Sequence, residues 1–185
     1  AASRQYLRDL FNSVELKAIV KRGNIRDVDM LERIVAYITS NIGTTFSATS
    51  TSKYLKNEGR PLSPDTVLHS NRALMYAFLF YQVKRQELQG KKILTVNEKY
   101  YVADYGVREA VFGGNRKDIN LVLETIVYME LLRRVYTVTT GTAGDMEIAF
   151  VCEDPDHTLY VQVASLRASD DTIPLHFGFS GRLRC

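Results

Sequence analysis

Apolar residues in this chain recur at helical spacing, then at strand spacing, and then repeat that change, and few architectures accommodate such an alternation. Arg4–Lys21 reads as a helix, with Leu7, Leu10, Phe11, Val14 and Ile19 near helical spacing and Gly23-Asn24 as a left-handed stop. Asp27 is placed to cap a second helix through Ile38, with Val28, Leu31, Ile34, Val35 and Ile38 on one face. Asn41–Ser50 is polar and reads as a turn, and a short helix near Ser50–Asn57 ends at Glu58-Gly59-Arg60-Pro61. Ser63-Pro64 opens a third clear helix, running through Val67, Leu68, Leu74 and Met75 to Phe78. Leu79–Val83, a polar link ending at Gly90, Ile93–Val96 and Tyr100–Ala103 then read as short strands with a hairpin.

The second cycle begins after Asp104–Gly114, a candidate joint holding a short helix and then Gly113-Gly114-Asn115. Asp118 is placed to cap a long helix to Arg134. Strand patterns follow at Val135–Thr140, Glu147–Cys152 and Leu159–Ala164, with turns at Gly141–Asp145 and Glu153–Thr158. The expected fold class is α/β. A winged helix-turn-helix precedes a degenerate nuclease-like α/β module of the PD-(D/E)XK order. Residues 1–24 form a helical tail, 25–104 the winged-helix domain and 105–185 the nuclease-like domain.

The chain has 185 residues, room for two modules of about 90 residues, each of modest stability alone. No apolar run approaches the roughly 20 residues that cross a membrane. There is no signal-peptide pattern, and Ala1-Ala2-Ser3 reads as added by cloning. Cys152 and Cys185 make no disulfide framework; Cys152, in an apolar run, reads as a small buried hydrophobe. These features lead us to expect a cytoplasmic protein. The net charge of +3 hides an asymmetry: residues 1–104 hold 16 Lys and Arg against 10 Asp and Glu, and residues 105–185 hold 8 against 11. Only the first part has the charge balance that favours nucleic acid.

Several chemistries lack their residues. No G-x-x-x-x-G-K-[ST] loop is present to cradle a phosphate, and Gly90-Lys91-Lys92 has no upstream glycine. His69, His157 and His176 are scattered and show no metal spacing. Gly178-Phe179-Ser180-Gly181 is not a nucleophile elbow. The chain is therefore expected to carry no catalytic residues, no metal site and no cofactor of its own.

Two signals remain. In a helix-turn-helix the second helix of the pair enters the DNA major groove. Here that helix would expose Ser63, Asp65, Thr66, His69, Ser70, Asn71 and Arg72. Asn and Arg read base edges, while Ser and Thr bind phosphate. The hairpin that follows carries Lys84, Arg85, Lys91, Lys92 and Lys99 against Glu87 and Glu98, a basic wing. His69, Asn71, Arg72, Lys84, Arg85, Lys91 and Lys92 are thus the candidate contacts to double-stranded DNA. Winged helices also serve as protein-interaction modules, so a protein partner or a homo-oligomer stays open.

The second signal is helix, strand, strand, strand. A nuclease of this order gathers carboxylates from the helix and two strands around a divalent cation, with a Lys near the attacking water. Glu124 lies 12 residues before Tyr136, a spacing that suits the helix carboxylate. Strand alternation puts Glu147, Ala149 and Val151 on one face, and Tyr160, Gln162 and Ala164 on one face of the next strand. The positions for Asp, Glu and Lys therefore hold Ala149, Gln162 and Ala164. Glu130 falls in the apolar stripe of Ile119, Val122, Leu123, Ile126 and Val127, where a buried acid needs a partner.

The residues also carry a family resemblance. Tyr6-Leu7-Arg8-Asp9-Leu10 and Ile19-Val20-Lys21-Arg22 resemble the segment after the ATPase core in a family of predicted prokaryotic P-loop ATPases of the AAA+ type. Gly90–Leu94, Asn97–Tyr101, Ala103–Arg108, Leu123-Glu124, Ile126–Tyr128, Glu130–Arg134, Glu147-Ile148 and Tyr160–Val163 resemble that family's uncharacterised C-terminal domain. The resemblance covers the chain to about Asp171. It implies an N-terminal ATPase module, absent here, in which ATP and Mg would bind. It further implies a winged helix and a restriction-endonuclease-like module. The family commonly carries Asp where this chain has Ala149, and already tends to Gln at Gln162. The tail Ile173–Cys185 departs from the pattern, so a closing strand is expected to be missing or altered. The expected function is that of a non-catalytic, DNA- or partner-binding region of such an ATPase, with a metal-dependent nuclease and an interaction module as alternatives.

Overall fold

Asp27 acts as its position predicts: its carboxylate accepts the Met30 N–H at 3.0 Å and starts a helix. In a computed structural model, which describes residues 5, 6, 9, 11, 16–88, 92–112, 119–143, 146–163 and 178–180, the helices lie where the apolar periodicity places them, but the expected stripe of the last one is not its buried face: Ile119 and Ile126 are exposed, and Thr125, Tyr128 and Leu131 are buried. They are α1 (Leu16–Gly23), α2 (Val28–Ser40), α3 (Ala48–Asn57), α4 (Pro64–Tyr76), α5 (Tyr105–Phe112) and α6 (Ile119–Arg133). Strands β1 (Phe80–Glu87), β2 (Lys92–Val102), β3 (Thr137–Ala143), β4 (Met146–Glu153), β5 (Thr158–Gln162) and β6 (Gly178–Ser180) complete a mixed α/β fold. Leu7, Leu10, Val14 and Asp118 lie outside the described residues.

The chain divides into two compact units, residues 1–82 with 100–114 and residues 83–99 with 115–185. In the first, Leu31, Ile34, Ile38, Leu55, Val67 and Leu74 are essentially without solvent exposure and form the core between α2, α3 and α4. Helix α1 belongs to this unit, with Leu16 and Ile19 buried and its end against α4: a Cβ added at Gly23 would lie 2.9 Å from that of Ala73. A side chain there would force the helices apart, which explains the glycine. Ser63 caps α4 by accepting the Thr66 N–H at 3.1 Å, with Pro64 in the first turn. Helix α5 packs against α2.

The sheet has six strands in the order β2-β1-β3-β4-β5-β6. Strand β1 runs parallel to β3, with Arg85 opposite Thr140 and Glu87 opposite Thr142. Hydroxyls stitch this seam: Thr139 donates to Gln86 at 3.0 Å and Thr142 to Glu87 at 3.1 Å. β3, β4, β5 and β6 continue antiparallel. In the second unit Val83, Phe150, Val151 and Cys152 are buried, and the rings of Tyr128 on α6 and Phe150 on β4 stack at 5.9 Å.

Three expectations are corrected. The region after α4 is two long strands, not short strands around a polar link, because β1 continues through Glu87 to pair with β3. Gly141 lies inside β3, not in a turn: it faces the side chain of Val151, 2.7 Å from where its own Cβ would be, beside a register shift. Of a missing or an altered closing strand, the structure has the latter, β6, paired with β5. The boundaries also move. Residues 1–24 fall in the first unit and 105–114 join them, while 83–99 fall in the second because β1 is an inner strand of the sheet.

Candidate functional site

Helix α4 follows α3 through a short link, and its exposed face carries Asp65, Thr66, His69 and Arg72. Ser70 and Asn71 were expected on that face and are buried instead, Asn71 at 1 % exposure. The cause is helix geometry. Asn71 shares the inward stripe with Val67 and Leu74, four residues before and three after it. Of the expected wing residues, Lys84 is exposed and Arg85 half-buried, and both stand on the inner strand β1 rather than on a free loop. Lys92 opens β2, and Lys91 lies outside the described residues. His69 and Arg72 therefore belong to the first unit, and Lys84, Arg85 and Lys92 to the second. The first unit then holds 12 Lys and Arg against 9 Asp and Glu, and the second 12 against 12. The charge asymmetry along the sequence thus shrinks when the strands are assigned to their unit.

Beside α4, Lys53 and Lys56 on α3 are exposed. Exposed apolar groups lie near the end of α4: Tyr76 is 81 % exposed and Phe78 71 %. A surface groove of about 560 Å³ elsewhere in the first unit is lined by Arg33, Tyr37, Tyr54 and Glu58, among others. Its charges are matched internally. Arg33 reaches Asp29 at 3.1 Å and Glu58 at 3.6 Å, and the Tyr54 hydroxyl donates to Glu58 at 2.8 Å.

In the second unit the nuclease-like positions find separate partners. Gln162 accepts the Ala149 N–H through its side-chain oxygen at 3.0 Å, so the amide serves the sheet. Alternation places Ala149 on the face opposite Phe150, and the ring of Phe150 is the one that stacks on α6. Glu124, on α6, instead faces Lys99 of β2, with Nζ 3.8 Å from its Oε2. The same ammonium lies 2.7 Å from Glu147 Oε1 at the start of β4. Lys99 was expected on a solvent-facing wing and is buried. Ala164 lies outside the described residues. Sequence reading missed this cluster because Lys99 and Glu147 are joined only by the fold, though Glu147 shares the face of Ala149 by alternation.

Glu130, expected in an apolar stripe, is part-exposed and hydrogen-bonds Arg133 and Arg134, which hold its carboxyl down at about 2. Burial pushes the Cys152 thiol up to about 12, so it stays protonated at neutral pH. His157 pairs with Asp154 at 3.0 Å, and His69 lies 3.2 Å from the Gly23 carbonyl. Among the described residues no group of three His, Cys, Asp or Glu could hold a metal ion, and no helix is long and apolar enough to cross a membrane.

A protein of Haemophilus influenzae described as uncharacterized is 35% identical over 158 residues, which is 85% of this chain and 40% of that protein. The chain thus spans well under half the length of this relative. No solved structure matches it. The profile of one family covers residues 1–118, through α1 to α4, the strands β1 and β2, and α5. The chain belongs to that family, described as a domain of unknown function, DUF8612.

Proposed function

We propose that this chain is a non-catalytic binding region of a longer protein and that its first unit engages duplex DNA through α4. The observation that carries the reading is the exposed row of Thr66, His69 and Arg72 on a capped helix directly after α3. Such a helix fits the major groove while its predecessor crosses the backbone, and Lys53 and Lys56 stand exposed on that predecessor. The length of the Haemophilus relative, of which the match covers 40%, supports a longer parent, and the resemblance to the C-terminal region of AAA+ type ATPases is the ground for a separate module in it that binds ATP and Mg. A Walker motif encoded upstream of Ala1 is the expected finding in the parent reading frame.

Titration with a duplex at several salt concentrations tests the reading. Each phosphate contact releases about 0.9 counterion. Replacing Lys53 and Lys56 by Ala lowers the salt slope by up to about 2, and so does replacing Lys91 and Lys92 if the hairpin also touches phosphate. Arg72→Ala weakens binding to a preferred sequence by roughly 5- to 100-fold if it reads a base. No affinity at low salt rejects duplex binding. One observation favours a protein partner instead: the exposed rings of Tyr76 and Phe78. Under that alternative, Tyr76→Ser with Phe78→Ser abolishes capture of the partner module, and the Lys and Arg variants do not.

A further inference from the structure

Glu124 on α6 and Glu147 on β4 both reach the same ammonium, and hard divalent cations favour such carboxylate oxygens. What lies between their carboxylates is an ammonium: Lys99 Nζ is 2.7 Å from Glu147 Oε1 and 3.8 Å from Glu124 Oε2. Lys99 keeps 8 % of its side-chain exposure and Glu124 15 %, whereas Glu147 is 60 % exposed. A carboxylate as buried as Glu124 is stable in its charged form only beside a positive charge. We propose that Lys99 is a built-in cation which occupies the place of a divalent metal ion between Glu124 and Glu147 and so excludes one from that place.

Charge and coordination carry the argument. Hard divalent cations are commonly held by one or two carboxylates plus water, so the pair is a sufficient protein ligand set. The open, water-facing side needed for the remaining ligands is the exposed Glu147. An ammonium at 2.7 Å from one oxygen leaves no room for a second cation at the same point. The residues present therefore do not fit a catalytic metal, and Lys99 supplies the physical reason. This inference does not depend on whether α4 binds DNA.

Manganese titration of the full chain tests it, with thermal melting and depletion of the free Mn²⁺ spin-resonance signal as readouts. The unmodified chain is expected to leave both unchanged. Lys99→Met is expected to melt roughly 5–10 °C lower, because it removes the positive charge beside a buried carboxylate. Mn²⁺ at ten times its dissociation constant then raises that melting temperature by about 3–6 °C. The rescue disappears in Lys99→Met combined with Glu124→Gln, and Lys99→Arg, which keeps the charge, ignores Mn²⁺. Should Lys99→Met be unfolded without metal, Mn²⁺-induced folding followed by circular dichroism reads the same equilibrium. The proposal is overturned if Lys99→Met shows neither rescue nor metal-induced folding. It is equally overturned if the unmodified chain binds Mn²⁺ in a manner lost with Glu124→Gln.

Discussion

Asn71 has both polar atoms of its side chain buried with no hydrogen-bond partner among the described residues. A buried unpaired amide costs roughly 1–3 kcal/mol, while an apolar group of the same shape restores that loss. Asn71→Leu is therefore expected to stabilise the chain by about 1 kcal/mol in denaturant unfolding and to leave duplex binding unchanged. A loss of binding without a loss of stability would return Asn71 to the interface. Cys152 makes the same point with a titratable group. Its thiol ionises near 9 when unfolded and is pushed to about 12 by burial. The unfolded chain therefore releases this proton first, and the folded state loses stability as pH rises from about 9 toward 12. Cys152→Val should remove that part of the alkaline loss, and the native thiol should stay unreactive toward a disulfide reagent at neutral pH.

At the scale of elements, three helices end without the glycine that such ends favour. Asn24, Phe78 and Val135 each take a positive φ, of 48°, 56° and 65°. In each case the next N–H returns to a carbonyl of the last turn: Ile25 to Val20, Leu79 to Leu74 and Tyr136 to Leu131. This is the Schellman geometry, and it satisfies carbonyls that would otherwise be orphaned. Asn tolerates the left-handed region, but a β-branched Val does not. Val135 is also 85 % exposed, so its side chain contributes little packing. Val135→Gly is expected to raise stability by about 1 kcal/mol, read from a shifted denaturation midpoint at constant slope. Phe78 is strained at φ 56° and exposed too, and strain of this kind clusters at binding surfaces. That coincidence is what keeps a protein partner for the end of α4 in view.

At the scale of the molecule, the decisive fact is that β1 is an inner strand. Its parallel pairing with β3 spans Arg85 to Glu87 against Thr140 to Thr142. A fragment of residues 25–104, the winged-helix domain that the sequence suggests, would bare that edge. It would also lose α5, which packs on α2, and α1, which packs on α4. An unpaired inner strand is a template for association. The fragment is expected to elute as aggregates or to melt well below the full chain, with gel filtration and thermal melting as the checks. A monomeric fragment as stable as the full chain would show that the β1–β3 seam contributes nothing to folding.

The sequence alone determined where most helices lie, because caps and apolar spacing are local: Asp27 and Ser63 act within one turn of themselves. It also determined the helix-then-strands order of the second half, whereas the register that brings Gln162 to Ala149 comes from the fold. Only the tertiary structure decided which face of α4 is buried, since Asn71 is polar by type and inward by angle. Only it decided that Gly141 continues a strand, that β1 joins β3, and that Lys99 lies between Glu124 and Glu147. Each of these joins residues far apart in the chain. Periodicity reports the side of an element that seeks burial, but the partner that covers it, and the charge that partner brings, are settled by packing.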